Sequence, residues 1–442
     1  MKLFENYLTG IDYVLENKSE FEIYKGKNVT QLLMDSKARS FNGSALNMFS
    51  AERQLAVYDD SSKAILTVDK NELERYFGPN KLSFPQITIG KHPDFENLGY
   101  NDIENHYCVS MFVDIKGSTK LALTHSLEEV RLIKDSLLTL CIHVANFFGG
   151  HVHRLQGDAA FIQFVRRGEH PNDSIINALN ASSVLCQFVS TDLATLFEQR
   201  SLNPIKIRVG IDYGQTDKVL WSYYGIHGCN ELTTTSLHTD LAAKLQAKAD
   251  NNSIRIGKNV VDTLDLPEEL YSTPTKSENG KNIPDYYILQ STQLNYNQYV
   301  FDWTNYLNGF DFFKKNNFGK LEINQNIYSI SCEIDDMTNS GAQKYYQNSH
   351  SIPKGNSLKF KLLRNGIPYF VTESDSIIWE VFNRGKEATL DKNLKLDFDG
   401  TYNNKNYCVL VSAYLGNHIL KCTIKRKFST DNIVLKFHVF VQ

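Results

Sequence analysis

Apolar positions near the start of the chain, Phe4, Leu8, Ile11 and Leu15, recur at three- and four-residue steps and predict a helix. The rest of residues 1–100 is polar and turn-rich up to Ile87-Thr-Ile-Gly-Lys-His-Pro-Asp-Phe95, and no chemistry can be assigned to it. From Cys108 the pattern sharpens. Cys108 to Val113 is an apolar run but for Ser110, a buried strand, and Asp114-Ile-Lys-Gly-Ser-Thr119 reads as the turn that follows it. Ser126 and Glu129 stand at capping-box spacing, and Val130, Ile133, Leu137, Leu140, Val144 and Phe147 mark one face of a helix that Gly149-Gly150 ends. Two β-prone runs, His151–Leu155 and Ala159–Val165, flank the turn Gln156-Gly157-Asp158. A second long helix over Ser174–Phe197 and a strand over Ile205–Ile211 complete the series. Strand, helix, hairpin, helix, strand is the split βαβ order, so a ferredoxin-like α+β domain is expected over 101–266. Residues 267–317 read as a linker with some helical aromatic content. Over 318–442, runs such as Leu358–Leu362, Leu394–Phe398, Cys422–Ile424 and Ile433–Val441 alternate between Asn, Gly and Asp turns, the pattern of an all-β sandwich.

Composition narrows the function classes. The 442 residues carry 47 Lys+Arg against 50 Asp+Glu, a net charge of -3, so there is no basic excess to drive nucleic-acid binding. Acids at Glu5, Asp12, Glu16 and Glu20 interrupt the first residues, which excludes a secretory signal, and no run reaches the roughly 18 apolar residues of a membrane span. Seven scattered cysteines contain no C-x-x-C pair, which points away from a disulfide framework or a thiolate zinc site. A cytoplasmic protein without a membrane partner is expected.

The strand turn and the hairpin would bring two aspartates, Asp114 and Asp158, to one end of the sheet. A pair of hard oxygen ligands beside a Gly-Ser-Thr turn suits a divalent ion, Mn²⁺ or Mg²⁺, and phosphates. Either aspartate alone is as readily a turn or cap residue. His151 and His153 share a strand face, yet with no third ligand nearby they read as structural or solvated.

In order, Phe112-Val-Asp114-Ile-Lys-Gly-Ser-Thr119, Arg154-Leu-Gln-Gly-Asp158, Arg208-Val-Gly-Ile-Asp-Tyr-Gly214 and Asp240-Leu-Ala-Ala-Lys244-Leu resemble the catalytic domain of class III nucleotidyl cyclases, including the 44-residue separation of the aspartates. The resemblance implies a head-to-tail homodimer with composite sites, acting on a nucleoside triphosphate to give a 3′,5′-cyclic nucleotide. Asp114, Asp158 and the carbonyl of Ile115 would hold the metals, and Gly117, Ser118 and Thr119 the triphosphate. Where purine cyclases of the family place a base-reading Lys or Glu, this chain has Arg154. Where the partner subunit offers an Asp or Cys, counting lands on Thr233, with Glu231 as a rival. The transition-state Asn and Arg positions hold Asp240 and Lys244, a point charge without a guanidinium fork. Tyr107 and Phe112 are further wall candidates for a base pocket.

An Arg and a hydroxyl suit a smaller ring than a purine. With the segment Ile89–Phe95 and the carboxyl-terminal motifs Ile378–Ala388 and Ala413–Ile419, they make the chain similar to the pyrimidine cyclases of Pycsar antiphage systems, which make cCMP or cUMP to activate a death effector. Those motifs resemble the adenylyl/guanylyl and SMODS C-terminal sensor domain, which implies a phage-derived trigger, although Asp391–Gly400 lacks the expected basic turn. Trp379 and Tyr414 read equally as sandwich core. CTP is preferred over UTP without a physical argument, and a purine cyclase or a catalytically silent sensor are the alternatives. No Gly-Gly-Asp/Glu-Glu-Phe turn supports a diguanylate cyclase.

Overall fold

The computed structural model describes residues 4–16 and 68–442, apart from 311, 317–320, 324–326, 336–341, 373–374, 399 and 427–431. The turn-rich part of the first hundred residues therefore lies largely outside the described residues. The predicted first helix is α1 (Glu5–Glu16), and α2 (Lys70–Phe77) follows after it among the described elements. Helix α1 rests on the catalytic layer: Phe4 meets Phe188 edge-on at 5.4 Å, and Arg200 Nε donates to Asp12 at 2.6 Å.

The central sheet is built around β2 (Cys108–Ile115), preceded by the short β1 (Ile103–Asn105). Next come the short α3 (Ser118–Thr124) and the long α4 (Leu127–Phe147), whose start carries the reciprocal Ser126–Glu129 capping box. The hairpin β3 (Gly150–Gln156) and β4 (Ala159–Phe164) turns through Gly157, at φ +66°. Helix α5 (Pro171–Phe188) continues through a widened turn at Val189–Leu193 into α6 (Ala194–Gln199), and β5 (Ile207–Gly214) closes the series. β2 lies between β4 and β5, antiparallel to both, with Val113 opposite Ala160 and Asp114 opposite Arg208. This is the split βαβ arrangement expected from the sequence.

Beyond the core, β6 (Leu220–Ile226) and β7 (Cys229–Thr235) form a small sheet with β1, and α7 (Leu237–Lys248) packs back on β5 and β2. Gly210 permits that approach: a Cβ there would lie 2.2 Å from the backbone nitrogen of Gln246. β8 (Ser253–Gly257) then joins β5 in parallel.

Residues 267–317 are not a simple linker. Asn295–Phe301, our β9, pairs antiparallel with β8, and Tyr296 and Gln298 on it are buried. Polar Asn and Gln alternating with aromatics disguised a strand paired on both sides as a connecting stretch. The carboxyl-terminal residues form two five-stranded sheets that share one apolar cluster, with Ile330, Cys332, Phe360 and Leu362 from one sheet and Ile377, Trp379, Leu420 and Phe437 from the other. Trp379 is sandwich core, its indole N–H donating to Lys405 O at 3.0 Å.

Helix α5 is buried along nearly its whole length between the sheet and the sandwich, which accounts for its Asn and Ser content. Asp173 accepts from the backbone N–H and the hydroxyl of Ser351, both at 2.6 Å, and Asn180 donates to Asn348 O at 2.9 Å. Among the described residues no helix is long and apolar enough to cross a membrane.

Candidate active site

Strand β2 is buried up to its end, where Asp114 emerges half-buried. Across the ladder Arg208 ion-pairs with it, and from α7 the Gln246 amide donates to Oδ2 at 3.0 Å. Burial raises the Asp114 pKa above the ordinary carboxylate value, and the carboxyl of Asp158 in hydrogen-bond reach raises it further, against the opposing pull of Arg208. Asp158 sits in the β3–β4 turn, with Lys134 Nζ 3.6 Å from Oδ1. Its Oδ2 is buried and has no hydrogen-bond partner. Such an orphaned oxygen costs free energy unless something binds it.

Two adjacent carboxylates with an unused oxygen fit a hard divalent cation. No cluster of three or more His, Cys, Asp or Glu side chains occurs among the described residues, so the remaining ligands would be carbonyl, water and substrate oxygens. Ile115 ends β2 directly beside Asp114, with its side chain in the core. Gly117 adopts φ +73° with open space beside it, and Ser118 and Thr119 begin α3. The turn is therefore accessible at the same end of the sheet.

A cleft opens next to the pair, lined by Phe112, His153, Arg154, Gln156, Ala159, Phe161 and Thr233. Phe112 and Phe161 lie flat against each other at 4.4 Å, and Arg154 Nε donates to Glu231 Oε1 at 3.0 Å. Arg154 and Thr233, distant in sequence, thus line one cleft within a single chain. Glu231, two residues before Thr233 on β7, reaches Arg154 from the same strand.

Tyr107 does not belong here. It is buried beneath the start of α5, where its hydroxyl lies 3.2 Å from Ser174 Oγ and donates to Arg166 O at 3.1 Å, because the chain enters β2 from the core side. His151 and His153 are structural, both turned to Gly90 O at 3.0 and 3.2 Å, and burial pushes His151 down to about 4. Asp240 and Lys244 stand one turn apart on α7 but are exposed, and one chain does not bring them to the aspartates.

Three contributors escaped the sequence reading. Arg208 belongs to a quoted motif, yet only the strand register places it against Asp114. Gln246 is two residues past Lys244, a helical offset that turns it inward. Gln156 shares the face of Arg154 by the period of two along β3, the one signal that was legible.

The family model of the Adenylyl/Guanylyl and SMODS C-terminal sensor domain matches residues 309–441. A cytidylate cyclase of Staphylococcus aureus is 39% identical over 372 residues, 83% of this chain and 86% of that protein. One from Escherichia coli is 34% identical over 358 residues, 78% of this chain and 72% of that protein. Solved structures of the adenylyl cyclase CyaB from P. aeruginosa (TM-score 0.36, 16% identity, 45% of this chain and 95% of that one) and of the guanylyl cyclase Cya2 (0.35, 14%, 45% and 91%) are also similar. With identity above 30% across most of both chains and an enzyme-like pair of aspartates beside a cleft, the chain is a nucleotide cyclase that belongs to the cytidylate cyclase family.

Proposed function

We propose that this protein converts CTP to 3′,5′-cCMP and pyrophosphate as a second-messenger synthase in antiphage defence. The observation that carries the reading is the juxtaposition of the Asp114–Asp158 pair, one oxygen unsatisfied, with a cleft that joins Arg154 and Thr233. The relatives' names supply the pyrimidine. Two Mn²⁺ or Mg²⁺ ions would be held by Asp114, Asp158 and the Ile115 carbonyl, and when bound they lower the pKa of the ribose 3′-hydroxyl and offset charge on the phosphates.

The protein's own groups then have separate tasks. Arg208 and Gln246 hold the Asp114 carboxyl in place, and Lys134 flanks Asp158. The open turn Gly117-Ser118-Thr119 would receive the triphosphate. The ribose 3′-hydroxyl gives its proton to solvent and its oxygen bonds to the α-phosphorus as the bond to the bridging oxygen of the β-phosphate breaks, and pyrophosphate leaves with that electron pair. Exposure of Asp240 and Lys244 supports a homodimer in which each subunit lends them to the partner's aspartates. Lys244 would stabilise charge on the transferring phosphoryl group. Action in the cytoplasm and a phage-derived trigger at the sandwich complete the proposal.

The test is incubation of the full chain with Mn²⁺ and each of ATP, GTP, CTP and UTP, products resolved by mass, beside Asp114→Ala and Asp158→Ala. Cyclic CMP lost in both variants supports the reading. A cyclic purine would overturn the base assignment, and no product with or without phage lysate would favour a silent sensor.

A further inference from the structure

Arg154 meets Glu231 side-on: Nε donates to Oε1 at 3.0 Å, and Nη2 pairs with Oε2. That engagement uses two of the five N–H donors of the guanidinium. The end-on edge, formed by Nη1 and the outer Nη2 hydrogen, is left as two parallel donors in a fixed plane. His153 stands behind Glu231 with Nε2 3.1 Å from Oε1 but no hydrogen bond to it, and its Nδ1 faces Gly90 O at 3.2 Å. Glu231 does not line the cleft, whereas Arg154 does.

We infer that Glu231 is a positioning residue that clamps Arg154 so that its free edge reads the pyrimidine, and that this clamp selects CTP over UTP. The inference rests on the cleft being the base site, as proposed above. Cytosine presents N3 and O2 as two adjacent acceptors, the complement of a donor fork. Uracil places an N3–H donor against one arm of that fork, so one donor would face another. A guanidinium free to rotate could offer a single hydrogen to a uracil carbonyl and escape the clash; a clamped one cannot. The exocyclic amine of cytosine then needs an acceptor, which the Thr233 hydroxyl or the Gln156 amide oxygen on the same cleft can supply. The flat Phe112–Phe161 pair offers the ring a face.

The experiment measures kcat and KM of the full-length protein for CTP, UTP and GTP, with binding of the α,β-methylene analogues of CTP and UTP as an activity-independent readout. Glu231→Gln is expected to lower the CTP:UTP ratio of kcat/KM roughly tenfold or more, mostly through KM for CTP, while kcat is largely kept. Glu231→Asp should restore part of the ratio. Arg154→Lys, which keeps the charge without the fork, should lower it as Glu231→Gln does, and carries the test if Glu231→Gln fails to fold. An unchanged ratio in Glu231→Gln, with both pyrimidines slowed alike, would overturn the clamp while leaving the base site intact. Wild-type protein that neither binds nor cyclises a pyrimidine would overturn the base-site reading and the clamp with it.

Discussion

Two acidic positions on the same face of the sheet, under the same helix, have opposite fates. Asp212 on β5 lies opposite Ser110, and Asp114 on β2 lies opposite Arg208, four ladder steps away. Helix α7 covers both, meeting Asp212 with His238 near its start and Asp114 with Gln246 near its end. Asp212 is fully buried and fully served: His238 Nδ1 lies 2.8 Å from Oδ2, and the Tyr296 hydroxyl donates to Oδ1 at 2.8 Å. Burial still raises its pKa, while those hydrogen bonds pull the other way. Asp114 is half-buried beside a second carboxylate that has an oxygen to spare. The same residue type in the same sheet is structural where its oxygens are used up and chemical where they are not.

The contrast breaks first if Asp114→Ala or Asp158→Ala keeps its cyclase activity. Each should lose at least about a thousandfold in kcat/KM, since the metal pair supplies several kcal/mol of transition-state stabilisation. Asp158→Ala should not lower the thermal midpoint, because it relieves crowding between the carboxylates. Asp212→Ala should do the reverse. It leaves His238 Nδ1 and the Tyr296 O–H without their carboxylate acceptor in the core and should destabilise the fold by about 3 kcal/mol in urea unfolding, while the folded fraction keeps its turnover. Tyr296→Phe removes one of the two bonds and should cost about 1–2 kcal/mol, again with kcat unchanged. A loss of turnover in the folded Tyr296→Phe protein would erase the distinction between the two ends of α7.

The sequence made the dyad end of this comparison legible and hid the other. A buried run ending in Asp, then a Gly-centred hairpin turn ending in Asp, is a local pattern, and period-two and period-3.6 spacing sufficed to draw the sheet around it. Tyr296 came from a stretch read as a linker, because strand pairing to β8 is a long-range fact that Asn-Tyr-Asn-Gln does not announce. Tyr107 failed for a related reason: an aromatic at a strand entrance looks the same whether it faces a cleft or a core. Arg154 lines the cleft, but the sequence did not pair it with Glu231, since which group of a neighbouring strand it meets depends on side-chain reach.

Glu72 supplies the control for whether an unused carboxylate oxygen by itself makes a site. Its Oε2 is buried without a hydrogen-bond partner, as Asp158 Oδ2 is, but it does not line the cleft beside Asp114 and Asp158. Its pKa is raised from 4.5 to about 7, chiefly by burial and then by Asp69, against hydrogen bonds from the backbone of Phe4 and Glu5. The folded protein therefore holds this proton more tightly than the unfolded chain. The group's stabilising contribution is complete below pH 4.5 and is lost as pH rises through 7. Glu72→Gln keeps an acceptor for the first turn of α1 and removes the titration. Its urea midpoint should match wild type at pH 4.5 and exceed it at pH 8, by about 1 kcal/mol once partial exposure is allowed for. Turnover should not change at either pH. If turnover fell with Glu72→Gln, an orphan carboxylate away from the cleft would be enough for function, and the pairing of Asp114 with Asp158 would no longer be what separates the chemical end of the sheet from the structural one.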